Sequence, residues 1–230
     1  MINAFLKLIR IKNLLIIALI QIVIKYFLIE AYIAEPSLSY FSFFCYLIAL
    51  IMIVASGYII NDIYDVETDK INKSETRIID KKIKKSAAFK AYYFLIFLGL
   101  VCGFYAAFTV NKLLLGFIFI FFIFSLWRYS QKHKTSFVIG NIQVAFLTAL
   151  SIITLALFDL IPSGIKKENG AEMIFYIILC YSAFSFITTL IREIIKDLED
   201  IKGDKEVNAN TFAINIGIKK TKKTIILLIL

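Results

Sequence analysis

The apolar residues of this chain are gathered into long runs, and most of the charged residues lie in the gaps between them. Six runs approach the roughly 20 residues that a helix needs to cross a bilayer, and a shorter run closes the sequence. The runs cover residues 14–33, 40–60, 87–110, 113–127, 137–158, 173–191 and 224–230. A soluble chain would not confine its charges to gaps in this way. The pattern therefore predicts an all-α, multi-pass integral membrane protein.

The two chain ends refine this prediction. Lys7, Arg10 and Lys12 precede the first run, which gives the outline of a signal peptide, but the run is long enough to favour an uncleaved first helix. The last run stops inside an apolar segment that has no interfacial anchor. We therefore expect residues 1–230 to form a single membrane domain of six complete transmembrane helices plus the start of a seventh. We also expect the sequence to be incomplete at its C-terminus.

Lysine and arginine are distributed unevenly between the gaps. Three lie before the first run, eight in residues 70–90, three in residues 128–134 and eight in residues 192–223, which is 22 of the 26. If each run crosses once, these four segments share one side, which the positive-inside rule makes cytoplasmic. Lys25 falls inside the first run, while Lys112, Lys166 and Lys167 fall on the far side. We expect a protein of the cell inner membrane with its N-terminus in the cytoplasm.

The net charge, the cysteines and the single histidine limit the possible functions. A charge of +9 could indicate nucleic-acid binding, but its confinement to membrane-flanking loops favours a role in topology and in contact with anionic lipid. Cys45, Cys102 and Cys180 are odd in number and lie within apolar runs, which argues against a disulfide framework or a zinc site. His133 is the only histidine, so sites built on several imidazoles and histidine-based triads are excluded.

Two acidic clusters share one spacing. Asp62, Asp65 and Asp69 are three and then four residues apart, and the same spacing relates a second set, Asp197, Asp200 and Asp204. On a helix, each set would fall on one face, and Asn61 would lie at the edge of the first. Carboxylates so close together repel one another unless a cation lies among them, and hard oxygen ligands suit Mg²⁺. Both clusters are expected on the cytoplasmic side, which predicts one shared magnesium site.

Acidic clusters beside lysine and arginine, at the mouth of an apolar bundle, suit a ligand with an anionic head and a hydrophobic tail. A diphosphate bridged to carboxylates by Mg²⁺ is the natural head group. With an isoprenoid tail, the metal and basic side chains would stabilise the departing diphosphate, and aromatic faces could stabilise the allylic cation that remains. The chain has 22 Phe and 12 Tyr, although aromatic residues in membrane helices are usually packing or interface residues.

At this point the sequence resembles a known family, the UbiA membrane prenyltransferases. Its first signature resembles Asn61-Asp62-x-x-Asp65-x-x-x-Asp69 with the following Lys70-Ile71-Asn72-Lys73, and its second is similar to the stretch Arg192-Glu193-Ile194-Ile195-Lys196-Asp197-Leu198-Glu199-Asp200-Ile201-Lys202-Gly203-Asp204. The resemblance extends to Arg10-x-x-Asn13, Tyr129, Lys132, Lys134, Gly140-Asn141 and Thr211. Two signatures in the right order, both on the predicted cytoplasmic side, make the resemblance specific.

The resemblance implies a helical bundle, normally of nine spans, with a central cavity and a cytoplasmic cap. It implies a prenyltransferase that uses Mg²⁺ and a prenyl diphosphate donor. The implied metal ligands are Asn61, Asp65, Asp69, Asp200 and Asp204, with Asp62 and Asp197 assisting. All six aspartates of the two clusters are thus implied as catalytic residues. The implied substrate-binding residues are Asn13, Arg77, Tyr129, Lys132, Asn141, Arg192 and Lys196.

Within the family, the second signature and the Gly140-Asn141 pair look most like the branch that prenylates geranylgeranylglyceryl phosphate. An acceptor that carries a phosphate needs extra cations, for which Arg77, Lys132, Arg192 and Lys196 are candidates. The chain departs from the family after the first signature, where it reads Ser74-Glu75-Thr76-Arg77-Ile78 in place of a Pro and an Arg-Pro pair. The path of that loop and the role of Arg77 are therefore open.

Other functions remain open at this stage. The acceptor could be an aromatic ring, such as a hydroxybenzoate, a naphthoate, a tetrapyrrole or a homogentisate, because a single sequence does not distinguish a carboxylate clamp from a phosphate site. A cation transporter or channel would instead place acids within the apolar runs. A non-catalytic membrane scaffold would tolerate neutral replacements of all six aspartates. We take transfer of a polyprenyl group, geranylgeranyl as first choice, to a lipid glycerophosphate as the leading hypothesis.

Overall fold

The computed structural model describes residues 2–72, 77–162, 170–206 and 209–229. Within these ranges the named secondary-structure elements are all helices. The stretch from Lys73 to Thr76, where the sequence departs from the family pattern, lies outside the described residues. Lys166 and Lys167, which were predicted on the far side, also lie outside them.

Within the described residues, six helices are long and apolar enough to cross a membrane, as the hydropathy pattern predicts. The first span, Ile11–Tyr32, combines α2 (Ile11–Val23), a π-helical segment (Ile24–Ile29) and the short α3 (Glu30–Tyr32). The other five spans are α4 (Tyr40–Tyr64), α6 (Lys85–Thr109), the 3₁₀ turn Leu113–Gly116 with α7 (Phe117–Gln131), α8 (Ile139–Asp159) and α9 (Ala171–Glu199). The first six predicted runs therefore each match one of these spans, with ends that differ by a few residues.

Short helices lie beside the spans. In chain order, α1 (Ile2–Leu8) precedes the first span, α5 (Val66–Asn72) follows α4, and α10 (Ile201–Glu206) follows α9. The last two helices are α11 (Phe212–Ile216) and α12 (Ile218–Ile229). The segment predicted to begin a seventh span is helical in α12, which at 12 residues is too short to cross a bilayer.

The core is built around α4. In its most apolar window 67% of the residues are buried, against 17% for α9, so α4 is the central helix and α9 is largely peripheral. α4 packs against α2, α6 and α7, while α8 packs against α9. Tyr46, Phe119 and Phe158 meet in the centre with ring centroids 5.2 to 6.1 Å apart. Gly103 permits this packing, because a Cβ there would lie 2.4 Å from the Phe119 ring.

The structure corrects one prediction about the two acidic clusters. Each was predicted to lie on one face of a single helix, but each straddles the junction of two. α4 ends at Tyr64 and α5 begins at Val66, so Asp65 lies between them. Asp200 occupies the same position between α9 and α10.

A buried ion pair lies at the opposite end of the bundle from these clusters. Lys25 Nζ is 2.7 Å from Asp159 Oδ2 and 3.3 Å from Glu30 Oε1, and it donates to Leu38 O at 2.9 Å. Asp159 Oδ1 accepts a hydrogen bond from Leu38 N at 2.8 Å. Lys25 and Asp159 are completely buried. The pair therefore joins the first span, α8 and the segment before α4, a contact that no residue pattern predicts.

Candidate active site

The first acidic cluster is placed by the end of α4 and the start of α5. The Asp65 N–H donates to Asn61 O at 2.9 Å, and the Asp69 N–H donates to Asp65 O at 2.7 Å. The i to i−4 bonding thus continues through the junction, although Asp65 itself has φ −83° and ψ 0°. This bonding keeps Asp65 close to Asn61.

The second cluster repeats this geometry. The Asp200 N–H donates to Lys196 O at 2.9 Å, and the Asp204 N–H donates to Asp200 O at 3.0 Å. Asp200 has φ −89° and ψ 2°, close to the values at Asp65. The shared sequence spacing therefore corresponds to a shared local structure.

The two clusters meet at one end of the bundle, where α5 packs against α10. Asp65 from the first cluster and the three aspartates of the second line one pocket. The pocket is lined by Asp65, Tyr129, Lys134, Thr135, Gly140, Asn141, Glu193, Lys196, Asp197, Asp200, Asp204 and Thr211. Of the predicted site residues, seven thus lie together on its wall: Asp65, Tyr129, Asn141, Lys196, Asp197, Asp200 and Asp204. We call this cavity the acidic pocket.

Asp65 is the most strongly held carboxylate of the acidic pocket. Asn61 Nδ2 donates to its Oδ2 at 2.7 Å, and the Lys134 ammonium donates to the same oxygen. Asp65 is buried, so both interactions act where water screens them little. The Asn61 amide is oriented by this bond, and its Oδ1 is buried with no hydrogen-bond partner among the described residues.

The opposite wall is organised by the start of α8 and the end of α9. Asn141 Nδ2 donates to Asp197 Oδ2 at 3.0 Å, which fixes this carboxylate from the neighbouring helix. Glu193 is buried one turn earlier on α9, with its carboxylate 4.0 Å from Lys196 Nζ. Two helices, α8 and α9, therefore contribute charged or amide groups to this wall.

Mutual repulsion is visible at Asp204. Burial raises the pKa of its carboxyl group, and the nearby Asp200 carboxylate raises it further, whereas Lys134 and Lys196 lower it. Two half-buried carboxylates that disfavour each other's charge would be stabilised by a cation between them. The electrostatics of the pocket thus suit a positively charged ligand or an anion that brings a metal.

The donor set suits Mg²⁺ in chemistry, since it offers carboxylate oxygens and the free amide oxygen of Asn61. As the described side chains stand, no group of three or more carboxylate, imidazole or thiol groups is arranged to hold a metal ion.

Other predicted residues lie outside the lining of the acidic pocket. Asp62 pairs with Arg10, whose Nη2 is 3.2 Å from its Oδ1. The Arg10 guanidinium also lies over the Tyr58 ring, 4.7 Å from its centroid. Asn13 Nδ2 donates to the hydroxyl of the same Tyr58 at 3.3 Å. These residues form a second polar cluster that joins the start of the first span to α4. Asp69 lies in α5 and is half-buried.

Three predicted cations differ in their surroundings. Arg77 is half-buried, and no described residue hydrogen-bonds its Nε or Nη1. Lys132 is exposed at the end of α7, and Arg192 is 68% exposed beside Glu193. Of these three, only Arg77 brings buried donors that could meet an anion.

Five residues that line the acidic pocket had no predicted role: Lys134, Thr135, Gly140, Glu193 and Thr211. Lys134 and Gly140 were included in the family resemblance, but nothing in the sequence distinguished Lys134 from Lys132. Their difference in placement arises from the short turn between α7 and α8. Glu193 carried a usable signal, because it lies one helical turn before Asp197 on the same face.

Comparison with known proteins agrees with this architecture. Residues 22–230 match the UbiA prenyltransferase family. The digeranylgeranylglyceryl phosphate synthase of Sulfolobus acidocaldarius is 34% identical over 179 residues, covering 78% of this chain and 59% of that protein. The synthase of the same name from Pyrococcus horikoshii is 34% identical over 73% of this chain and 54% of its own length. The chain thus spans less than two thirds of these relatives.

A solved structure is also similar. It belongs to a study titled "Structural and mechanistic insights into the biosynthesis of Digeranylgeranylglyceryl phosphate synthase in membranes". The TM-score is 0.69 with 26% sequence identity, and the match covers 99% of this chain and 73% of that one. The similarity therefore extends to the arrangement of the helices.

Proposed function

This chain belongs to the UbiA prenyltransferase family, and on that premise we propose that it transfers a polyprenyl group from its diphosphate to the hydroxyl group of a lipid glycerophosphate. The observation that carries the proposal is the meeting of Asp65 with Asp197, Asp200 and Asp204 in one pocket at the end of an apolar bundle. Such a pocket suits a diphosphate head, and the spans offer an apolar environment for its tail.

The proposed cofactor is Mg²⁺, held by Asn61, Asp65, Asp69, Asp200 and Asp204. Its support is the chemistry of the donors, above all the Asn61 Oδ1 atom that accepts no hydrogen bond from any described residue. When bound, the ion would neutralise the charge of the diphosphate and make it a better leaving group.

Side chains that line the acidic pocket would bind and orient the prenyl diphosphate donor. Lys134 and Lys196 line the acidic pocket and would contact phosphate oxygens as point charges. Asn141 holds Asp197 in place, and the half-buried Tyr129, which lines the same cavity, brings an aromatic ring that would stabilise an allylic cation. In the reaction the bond between C1 of the prenyl group and the diphosphate oxygen breaks, and the acceptor hydroxyl oxygen forms a bond to C1 and loses its proton.

The finer identity of the substrates is also a proposal. We favour a geranylgeranyl donor and a geranylgeranylglyceryl phosphate acceptor, since the similar proteins from Sulfolobus acidocaldarius and Pyrococcus horikoshii are named digeranylgeranylglyceryl phosphate synthases. The buried donors of Arg77 would suit the phosphate of that acceptor. We further propose that the acidic pocket faces the cytoplasm, because the flanking segments carry most of the lysine and arginine.

The proposal is tested with the protein in detergent, labelled geranylgeranyl diphosphate, and competing acceptors. We expect Mg²⁺-dependent transfer to a glycerophosphate lipid, with 4-hydroxybenzoate and naphthoate as poor competitors. Asp65→Ala and Asp200→Ala should each abolish it. Preferred transfer to an aromatic acceptor would assign the protein to another branch, and full activity in either variant would refute the proposed site.

A further inference from the structure

The turn between α7 and α8 brings the Lys134 ammonium group into contact with Asp65, and residues on both sides of Lys134 are held by contacts to other parts of the protein. The turn contains the 3₁₀ segment His133–Thr135, so Lys134 is its central residue. Lys134 is the residue of this turn whose ammonium group reaches across to the first acidic cluster. Lys132, two residues earlier, is exposed. A small shift of the turn would therefore decide whether Lys134 reaches the acidic pocket.

His133 ties the turn to α7 through α8. Gln143 Nε2 donates to Ser125 O at 2.7 Å, and a carbonyl oxygen can only accept, so the amide orientation is fixed. Gln143 Oε1 then faces His133 Nδ1 at 2.6 Å and must accept from it. One glutamine thus holds the residue before Lys134 against both helices.

Thr135 ties the other side of the turn. Its backbone oxygen accepts a hydrogen bond from Asn210 N at 2.9 Å, and Asn210 follows the second acidic cluster in the chain. The stacked rings of Phe137 and Phe212, 5.5 Å apart, make the same connection a few residues later. Both neighbours of Lys134 are therefore anchored to different parts of the protein.

Gly140 leaves the space that the turn needs. A Cβ at this position would lie 2.6 Å from the backbone oxygen of His133 and 3.3 Å from Cα of Lys134. These are backbone atoms, which cannot yield by a side-chain rotation, so any larger residue would move the turn itself. Gly140 is followed directly by Asn141, so the start of α8 both leaves room for the turn and contributes a residue that lines the acidic pocket.

From these contacts we propose that Gly140, Gln143 and His133 are positioning residues that hold Lys134 between the two acidic clusters, where it binds the anionic head group of the substrate. The inference rests on the proposed function for the identity of that head group. The placement of Lys134 itself is a separate property and can be measured without any substrate.

The first test measures the reactivity of individual lysines with an acylating reagent, followed by mass spectrometry. In the unmodified protein Lys134 should react slowly, because Asp65 and the pocket protect it. Gly140→Ala and Gln143→Leu should each raise its rate about tenfold, the factor that one charge-assisted hydrogen bond represents, while the exposed Lys132 stays unchanged as an internal control. Gly99→Ala is the matched control, because its added methyl group would meet the Ile53 side chain in the bundle.

The second test is a double-mutant cycle on the affinity for geranylgeranyl diphosphate. Lys134→Met, Gly140→Ala and Gln143→Leu should each weaken binding about tenfold, and adding either of the last two to Lys134→Met should cause no further loss. Additive losses, or unchanged Lys134 labelling in both turn variants, would overturn the proposal. A protein that binds no prenyl diphosphate would refute the proposed function, but the labelling result would still decide the placement.

Discussion

Two lysine–aspartate pairs lie at opposite ends of the bundle, and they differ in their surroundings. Lys25 and Asp159 are both 0% exposed, and the backbone of Leu38 bonds to each of them. The side chains of Lys134 and Asp65 are 25% and 11% exposed and lie in a pocket with further carboxylates. The same chemical pair is closed at one end of the molecule and accessible at the other.

The difference indicates two roles. At the Lys25 end, the charges are compensated by fixed partners, so the pair can hold helices together but has no free valence for a ligand. At the acidic pocket, burial and the nearby Asp200 carboxylate raise the pKa of Asp204 although Lys134 and Lys196 lower it, so a further cation would favour its charged form. An unbalanced, accessible cluster can gain from binding a ligand, whereas a balanced, dry one cannot.

The largest effect is expected from breaking the closed pair. Lys25→Met leaves Asp159 buried without its cation, which should cost about 3–5 kcal/mol of unfolding free energy. Unfolding in detergent, followed by circular dichroism, measures this loss. The double variant Lys25→Met/Asp159→Leu should recover much of it, because it removes the fully buried carboxylate together with the cation and leaves only Glu30, whose side chain is 24% exposed. A single variant as stable as the unmodified protein would show that the pair does not hold the helices.

Breaking the accessible pair should affect activity rather than folding. Asp65→Asn is expected to lower prenyl transfer about 10²–10³-fold, the usual cost of removing one electrostatic contact in a preorganised site. Its unfolding free energy should fall by less than that of Lys25→Met, because asparagine keeps an acceptor for Asn61 and Lys134, and the Lys134 side chain is 25% exposed to water. Glu67→Gln is the matched control, because Glu67 is an exposed carboxylate two residues away that pairs with Lys70. Equal activity of the two variants would contradict the assignment.

A smaller effect is expected behind the acidic pocket. The Arg10 and Asp62 side chains are 35% and 19% exposed, so their ion pair is partly screened by water. Asp62→Asn should cost about 1 kcal/mol or less in stability and reduce transfer less than tenfold. Steady-state kinetics of this variant beside Asp65→Asn makes the comparison. A loss as large as that of Asp65→Asn would move Asp62 into the reacting site.

The smallest effect is expected for an exposed cation of the second signature. Arg192 is 68% exposed, so Arg192→Gln should change the KM for the donor by less than about twofold. Lys196→Gln should raise the same KM about tenfold, because Lys196 lines the acidic pocket. Measuring both KM values under identical conditions shows which of Arg192 and Lys196 binds the donor. A larger rise in KM for Arg192→Gln than for Lys196→Gln would contradict the placement of Lys196 in the acidic pocket.

Much of this architecture follows from residue patterns that act locally. The six spans are predictable because a helix that crosses a bilayer needs about 20 apolar residues in succession. The meeting of Asp65 with Asp200 is predictable in outline, since both junctions follow spans that end on the same side. The similar local backbone geometry of the two clusters also agrees with their common three-then-four spacing.

The remaining contacts depend on tertiary pairing. Nothing in the sequence pattern joins Lys25 to Asp159, which are 134 residues apart. Periodicity also does not distinguish Lys134 from Lys132, because the choice depends on a non-helical turn held by Gly140 and Gln143. The pairing of Asp62 with Arg10 was likewise hidden, since a charge near a helix end has several possible partners and packing selects one.

The central claim is that the two acidic clusters form one binding site. Calorimetric titration of the protein with geranylgeranyl diphosphate, with and without Mg²⁺, tests it most directly when applied to Asp65→Asn, Asp200→Asn and the double variant. We expect Mg²⁺-dependent binding that is weakened to a similar extent in either single variant and falls no further in the double. Binding that Asp200→Asn leaves unchanged, or losses that simply add, would show that the clusters act independently.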